Sequence, residues 1–183
     1  MDYLSEAALS YNELINKEFI VTFSNNESIH FSFKKGNFFH LAGLNKLNDL
    51  QLFSGKISPT SIYKMILDGR VTSKYLTSSR FFGSDSRDRI SCISRITELL
   101  CCEGSAVYGF DKRICRAHVC FRSKIIFFKE DSYDFFITLG LAEERDNNLF
   151  YPETLFYRYD RAYIDGQNIV RIKNITATPH AAV

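Results

Sequence analysis

Apolar residues recur at steps of three and four near the start of the chain: Leu4, Ala8, Tyr11 and Ile15. That spacing lines one face and predicts a helix over residues 5–17, with Ser5 as its cap. The period then shortens to two. Ile29, Phe31 and Phe33 fall on one side of an extended segment, and His30 and Ser32 on the other. Two strands, 18–24 and 28–34, are therefore expected. Asn25 and Asn26 join them and tolerate the positive φ of a tight hairpin. A second helix should run from Phe38 to about Leu52, capped by Asn37. Ser58 before Pro59 opens a third, and Gly69 closes it. Residues 72–81 and 86–103 complete the helical part. In the latter Ile90, Ile93, Thr97, Leu100 and Cys101 share a face.

Beyond Gly104 the pattern changes. Segments 106–110, 118–129, 133–139, 149–159 and 169–174 are rich in Phe, Tyr, Val and Ile and are separated by turn residues. Helices and an early hairpin, then a mostly antiparallel sheet packed on helices, make an α+β fold. Pro152, near the start of its strand, suits a sheet edge. Segment 169–174 would leave an edge open to self-association if uncovered.

The length of 183 residues favours one domain, here 1–176. The small, polar residues 177–183 read as a flexible tail. With 45% apolar and 24% charged residues, the chain is not intrinsically disordered as a whole. Its five cysteines are clustered and odd in number, which fits reduced thiols in a cytoplasm better than a disulfide framework. The acidic start lacks the basic-then-apolar order of a secretory signal. No run approaches the roughly 20 apolar residues of a membrane span, so no membrane partner is expected.

The net charge of +2 excludes a histone-like polycation and an acidic DNA mimic. It conceals an uneven distribution: −1 over residues 1–60, +6 over 61–130 and −3 over 131–183. The basic middle holds Lys74, Arg80, Arg87, Arg89, Arg95, Arg122 and Lys124, with aromatics between them. Cations with interleaved rings can hold a phosphate chain and stack bases. A solvated helix face explains such charges equally well.

Walker, dinucleotide, zinc-protease and nucleophile-elbow motifs are absent. Cys115, His118 and Cys120 are close in sequence, but they lack a paired-cysteine knuckle. Strand alternation would also put Cys115 on the face opposite the other two. Buried thiols are the better reading, and neither a metal nor a cofactor is expected. His40 is unusual near the first turn of an otherwise apolar helix. Imidazole exchanges a proton near neutral pH, which suits general acid–base work, although a core or capping histidine is also compatible. Gly43 would let another group pack closely there. Thr154 shares a strand face with Phe156, and Glu153 shares the other with Leu155. A hydroxyl at 154 could bond a phosphate oxygen, or be an ordinary strand threonine.

The run Ile29–Leu44, with Phe33, Lys34, Asn37, Phe38, His40, Leu41 and Gly43, resembles a signature of phage and mobile-element proteins. They are grouped as barnase–EndoU–colicin–RelE-like nucleases and carry Asn-Phe-x-His-Leu-Thr-Gly-Leu. Segments 123–128, 135–141 and 151–156, followed by Asp160, Tyr163 and Gln167, are similar to that family's strands. The resemblance spans about residues 12–175. It implies a compact antiparallel sheet on helices and a metal-independent endoribonuclease of toxin or effector type, in which the RNA 2′-hydroxyl attacks the adjacent phosphate. Carried over, His40 is the general base or acid, Lys124 stabilises the phosphate and Thr154 binds one of its oxygens. Lys74, Arg80, Arg122, Tyr157 and Tyr163 are substrate-binding candidates. The implied partner is RNA, tRNA among the candidates, with an antitoxin or host protein as a further one. The alternative is a non-catalytic protein on the same fold that recognises nucleic acid or a host defence protein. The chain has Ala42 where the family has Thr, and Thr154 where Ser is common.

Overall fold

A computed structural model describes residues 2–101, 104–115, 121–130, 136–144 and 149–179. They form an α+β arrangement of two compact units: Met1–Ile15 with Lys34–Arg95, and Asn16–Phe33 with Ile96–Val183. Among the described residues, no helix is long and apolar enough to cross a membrane.

The first unit is helical. It contains α1 (Tyr3–Asn12), α2 (Asn37–Leu41), α3 (Pro59–Leu67), α4 (Ser73–Leu76) and α5 (Ser84–Ile93). Its core is Leu4, Ala8, Tyr11, Phe38, Leu41, Ile62, Tyr63, Ile66 and Ile90, all essentially without solvent contact. The rings of Tyr11, Phe38 and Tyr63 meet at 5.1–5.9 Å between centroids. The Tyr63 hydroxyl donates to the Ala8 carbonyl at 2.9 Å, so this core contains a satisfied polar atom. Burial pushes the Tyr63 pKa up to about 12 and keeps that proton in place.

Helix α1 starts two residues before its expected span because Asp2, rather than Ser5, caps it. The Asp2 carboxylate accepts from the N–H groups of Leu4 and Ser5, and from the N–H and hydroxyl of Ser73 at the start of α4. Burial alone would raise the Asp2 pKa. The four hydrogen bonds outweigh it and hold the carboxyl below its usual 3.8.

Four expected helices end short of their apolar patterns, the first of them α1, which stops at Asn12 before Ile15. Helix α2 ends at Leu41 because Gly43 takes φ 71°, a left-handed turn that glycine adopts without steric cost. Short 3₁₀ turns at Leu44–Lys46 and Gln51–Phe53 replace the rest. Asn37 does not cap α2 forward; its side chain accepts the N–H of Lys34 at 2.8 Å. Segment 72–81 keeps four helical residues. Thr77 and Ser78 donate their hydroxyls back to the Lys74 and Tyr75 carbonyls, an arrangement that competes with helix continuation. Ser91 and Ser94 do the same at the end of α5. The expected 86–103 helix is thus divided into α5 and α6 (Ile96–Leu99).

The second unit is a seven-stranded closed barrel with α6 against it. Its strands are β1 (Lys17–Phe23), β2 (Ser28–Ser32), β3 (Ser105–Tyr108), β4 (Ile125–Glu130), β5 (Phe136–Glu144), β6 (Leu149–Arg158) and β7 (Ile169–Pro179), ordered β1-β2-β6-β5-β4-β3-β7. Pairing is antiparallel except between β2 and β6. Asn26, at φ 65°, makes the expected hairpin between β1 and β2. Phe23, Phe31 and Phe127 meet in one core cluster.

Closure bears on two edge assignments. Strand β7 pairs with β3 over Ile169–Arg171 and with β1 from Ile172 to Pro179, so segment 169–174 is built into the ring by one neighbour after the other. Pro152 pairs with Leu141 of β5 at a bulge, while β2 covers only Leu149 and Phe150 of β6, so the proline sits where one side of its strand has no ladder partner. Strand β7 also extends to Pro179 and takes in residues 177–179 of the expected tail. Residues 180–183 lie outside the described residues, as do 118–120 and 133–135 of the expected strands.

Candidate functional site

In the helical unit, α2 buries Phe38, Phe39 and Leu41 and turns His40 outward. The imidazole is exposed and stands edge-on to the Phe39 ring at 5.7 Å. It is therefore no core histidine. Three residues on, Gly43 receives the stem of Arg89. A Cβ on Gly43 would stand 2.9 Å from Arg89 Cδ. Arg89 Nε donates to both Asp85 oxygens at 3.3 Å, and Lys46 Nζ approaches Asp85 at 2.6 Å. Burial tends to raise the Asp85 pKa, yet these two cations lower it overall, so Asp85 stays ionised. Lys74 on α4 and Arg80 beyond it are exposed.

In the barrel unit, the loop entering β4 lies against β5 and β6. Glu153 is the extra residue of the β6 bulge, since Gly140 pairs with Thr154 and Leu141 with Pro152. Its carboxylate accepts the Arg122 N–H at 2.8 and 3.0 Å and the Ser123 hydroxyl at 2.8 Å. The Arg122 guanidinium extends into solvent, 80% exposed, and reaches the Tyr151 hydroxyl at 3.5 Å. Lys124 ion-pairs with Glu143, and its N–H donates to the Leu141 carbonyl at 2.9 Å. Thr154 is 8% exposed, and the neighbouring Gly140 is crowded. A Cβ on Gly140 would lie 2.5 Å from Ser123 Oγ and 2.8 Å from Thr154 Cγ2.

That crowding makes a prediction. Gly140→Ala should destabilise the protein by about 1–3 kcal/mol, the usual cost of overpacking. Urea denaturation measures it. A change within about 0.5 kcal/mol of zero, typical of an unconstrained surface site, would show that Ser123 yields freely.

Arg122, Lys124 and Thr154 are thus brought together in the barrel unit, whereas His40, Lys74 and Arg80 belong to the helical unit. Tyr157 is half-buried on β6 opposite Ile137. Tyr163 is 9% exposed and packs against Phe110, Phe121 and Phe156, with the Arg158 guanidinium 5.0 Å above its ring. Burial raises its pKa.

Ser123, Gly140, Glu143 and Glu153 join the group without having been singled out. Alternation pairs Glu153 with Leu155, but the bulge breaks that alternation and lets Glu153 reach Ser123, which together with Thr154 crowds Gly140. Pro152 is the available signal, because a proline inside a strand marks a bulge or an edge.

The Cys115 thiol donates to the Ala162 carbonyl at 3.1 Å. His118 and Cys120 lie outside the described residues. Among the described residues, no three His, Cys, Asp or Glu side chains converge as a metal set.

The family description "phage-Barnase-EndoU-ColicinE5/D-RelE like nuclease4" matches residues 3–176, nearly the entire chain. The chain belongs to this nuclease family. No curated protein and no solved structure matches it. For this nuclease-family chain, the natural ligand class is a nucleic acid.

Proposed function

We propose that this nuclease-family protein is a metal-independent endoribonuclease of toxin or effector type, from a phage or mobile element, acting in the cytoplasm. The single observation supporting this most directly is the exposure of His40 on a helix whose neighbouring side chains are buried. A buried imidazole among apolar groups could not exchange protons with a substrate.

In this reading, His40 removes the proton of the RNA 2′-hydroxyl or protonates the leaving oxygen. The 2′-oxygen forms a bond to phosphorus as the bond from phosphorus to the 5′-oxygen breaks. The products are a 2′,3′-cyclic phosphate and a 5′-hydroxyl. Lys124 and Arg122, in the barrel unit, counter the phosphate charge of the RNA. Glu143 and Glu153 hold the segment carrying these cations in place. Thr154, largely covered, meets a phosphate oxygen only at its solvent edge. Lys74 and Arg80 bind the RNA backbone. Tyr157 and Tyr163 contribute less directly, as half-buried and buried walls.

The test is incubation of the purified protein with tRNA and total RNA in excess EDTA. Fragments ending in 2′,3′-cyclic phosphate are expected. If the folded protein cleaves no RNA, or cleaves only after divalent metal is restored, this reading fails. Binding without cleavage would favour a non-catalytic relative that recognises nucleic acid. An antitoxin or host partner, if present, should suppress the same cleavage.

A further inference from the structure

Between α4 and α5 the chain reads Ser79-Arg80-Phe81-Phe82-Gly83. Phe81 is 47% exposed, a large apolar area for a side chain on a short turn. The Arg80 guanidinium lies 4.7 Å from its ring centroid. Arg87, on α5, lies 5.9 Å from the adjacent Phe82 ring. Two cations thus accompany two neighbouring rings, and among the described residues neither makes a salt bridge. The turn is also fixed. Asp49 accepts the Ser79 hydroxyl at 2.6 Å and the Arg80 N–H at 3.0 Å, and the Ser79 oxygen accepts the Phe81 N–H at 3.1 Å. These bonds restrain the backbone that presents Phe81 before any ligand arrives.

We infer that Phe81, flanked by Arg80, is a stacking platform for an unpaired base of the RNA substrate. This rests on the ribonuclease reading and adds to it a residue and a preference for single-stranded RNA. An exposed ring offers a base an apolar face, and an arginine beside it attracts the phosphate and itself stacks on π systems. Base–aromatic stacking is tolerant of sequence but excludes paired bases, whose faces are already covered. Asp49 stays ionised, because the Ser79 hydroxyl and the Arg80 N–H stabilise its carboxylate, and the Arg80 charge beside it offsets its repulsion of phosphate. The cation and the ring together favour a polyanion with aromatic faces over a purely apolar protein surface.

The chain contains no tryptophan, so Phe81→Trp installs a unique fluorophore at the platform. The probe is a short single-stranded RNA methylated at every 2′-hydroxyl, which can bind but cannot be cleaved. Its binding is followed independently by anisotropy of a label on the RNA. Saturating single-stranded probe should quench the emission of the Phe81→Trp variant, and the same sequence in a duplex should not. Leu9→Trp, at an exposed position on α1, is the control and should not respond. Phe81→Ala should weaken probe binding about 5- to 100-fold, and Phe81→Tyr should retain it. Binding without quenching, or equal quenching at position 9, overturns the platform while leaving the ribonuclease reading intact. Failure of wild-type protein to bind any RNA sinks both.

Discussion

His40→Ala should lower RNA cleavage about 10²–10⁴-fold while leaving the unfolding curve in place. That magnitude is the usual contribution of a positioned acid or base. The two halves of the expectation depend on one feature. The His40 imidazole is exposed, and the residues that seal α2 into its unit are Phe38, Phe39 and Leu41. Removing the ring therefore takes away proton transfer and little packing. The variant should retain most of its RNA affinity, because cations elsewhere supply the phosphate contacts. Single-turnover cleavage and labelled-RNA binding separate these effects. Cleavage within about three-fold of wild type, well short of the general acid–base range, would exclude His40 from the reaction.

Phe127→Ala should be the most destabilising single change in the barrel, costing about 3–5 kcal/mol. Phe127 has no exposed surface and packs its ring 6.2 Å from Phe23 and 6.0 Å from Phe31. It therefore joins β4 to β1 and β2 across the core, strands far apart in sequence. The cavity has little prospect of collapsing, because its walls belong to a closed ring of strands. Equilibrium urea unfolding reads the loss as a lower midpoint. A cost below about 1.5 kcal/mol, the range of a well-tolerated swap, would mean that the interior rearranges to fill the space.

Period and turn chemistry made most of the elements legible. Alternation at Ile29, Phe31 and Phe33 marked β2. Ser58 with Pro59 marked the start of α3, where Ser58 Oγ accepts the Ser61 N–H at 3.2 Å. Lengths were less legible, because apolar spacing says nothing about hydroxyls that turn back onto the chain. Ser91, Ser94, Thr77 and Ser78 shorten helices whose apolar positions continue past them. Closure was not legible either. It requires β1 to meet β7, and neither sequence names the other.

The candidate site divides the same way. His40 was visible because it breaks an apolar pattern. The Glu153 grip on Arg122 and Ser123 depends on a bulge, which shifts a side chain to a face that alternation denies it. Phe81 looked like one more aromatic of an aromatic-rich chain until its exposure, combined with the Arg80 guanidinium over its ring, set it apart.

The division of the chain has a further consequence. The peptide passes between the two units three times, near positions 15, 33 and 95. Neither unit is one continuous stretch, so no simple truncation isolates it. A fragment beginning at residue 96 would lack β1 and β2 and would strip one side each of β6 and β7 of its hydrogen-bonding partners. Such bare strands pair with other molecules, so the fragment should collect in aggregates rather than behave as a small barrel. During synthesis the β1–β2 hairpin must likewise wait for more than a hundred further residues before β7 arrives to complete the ring. Loop closure over that distance is slow, which makes the barrel one of the last structures the growing polypeptide can finish.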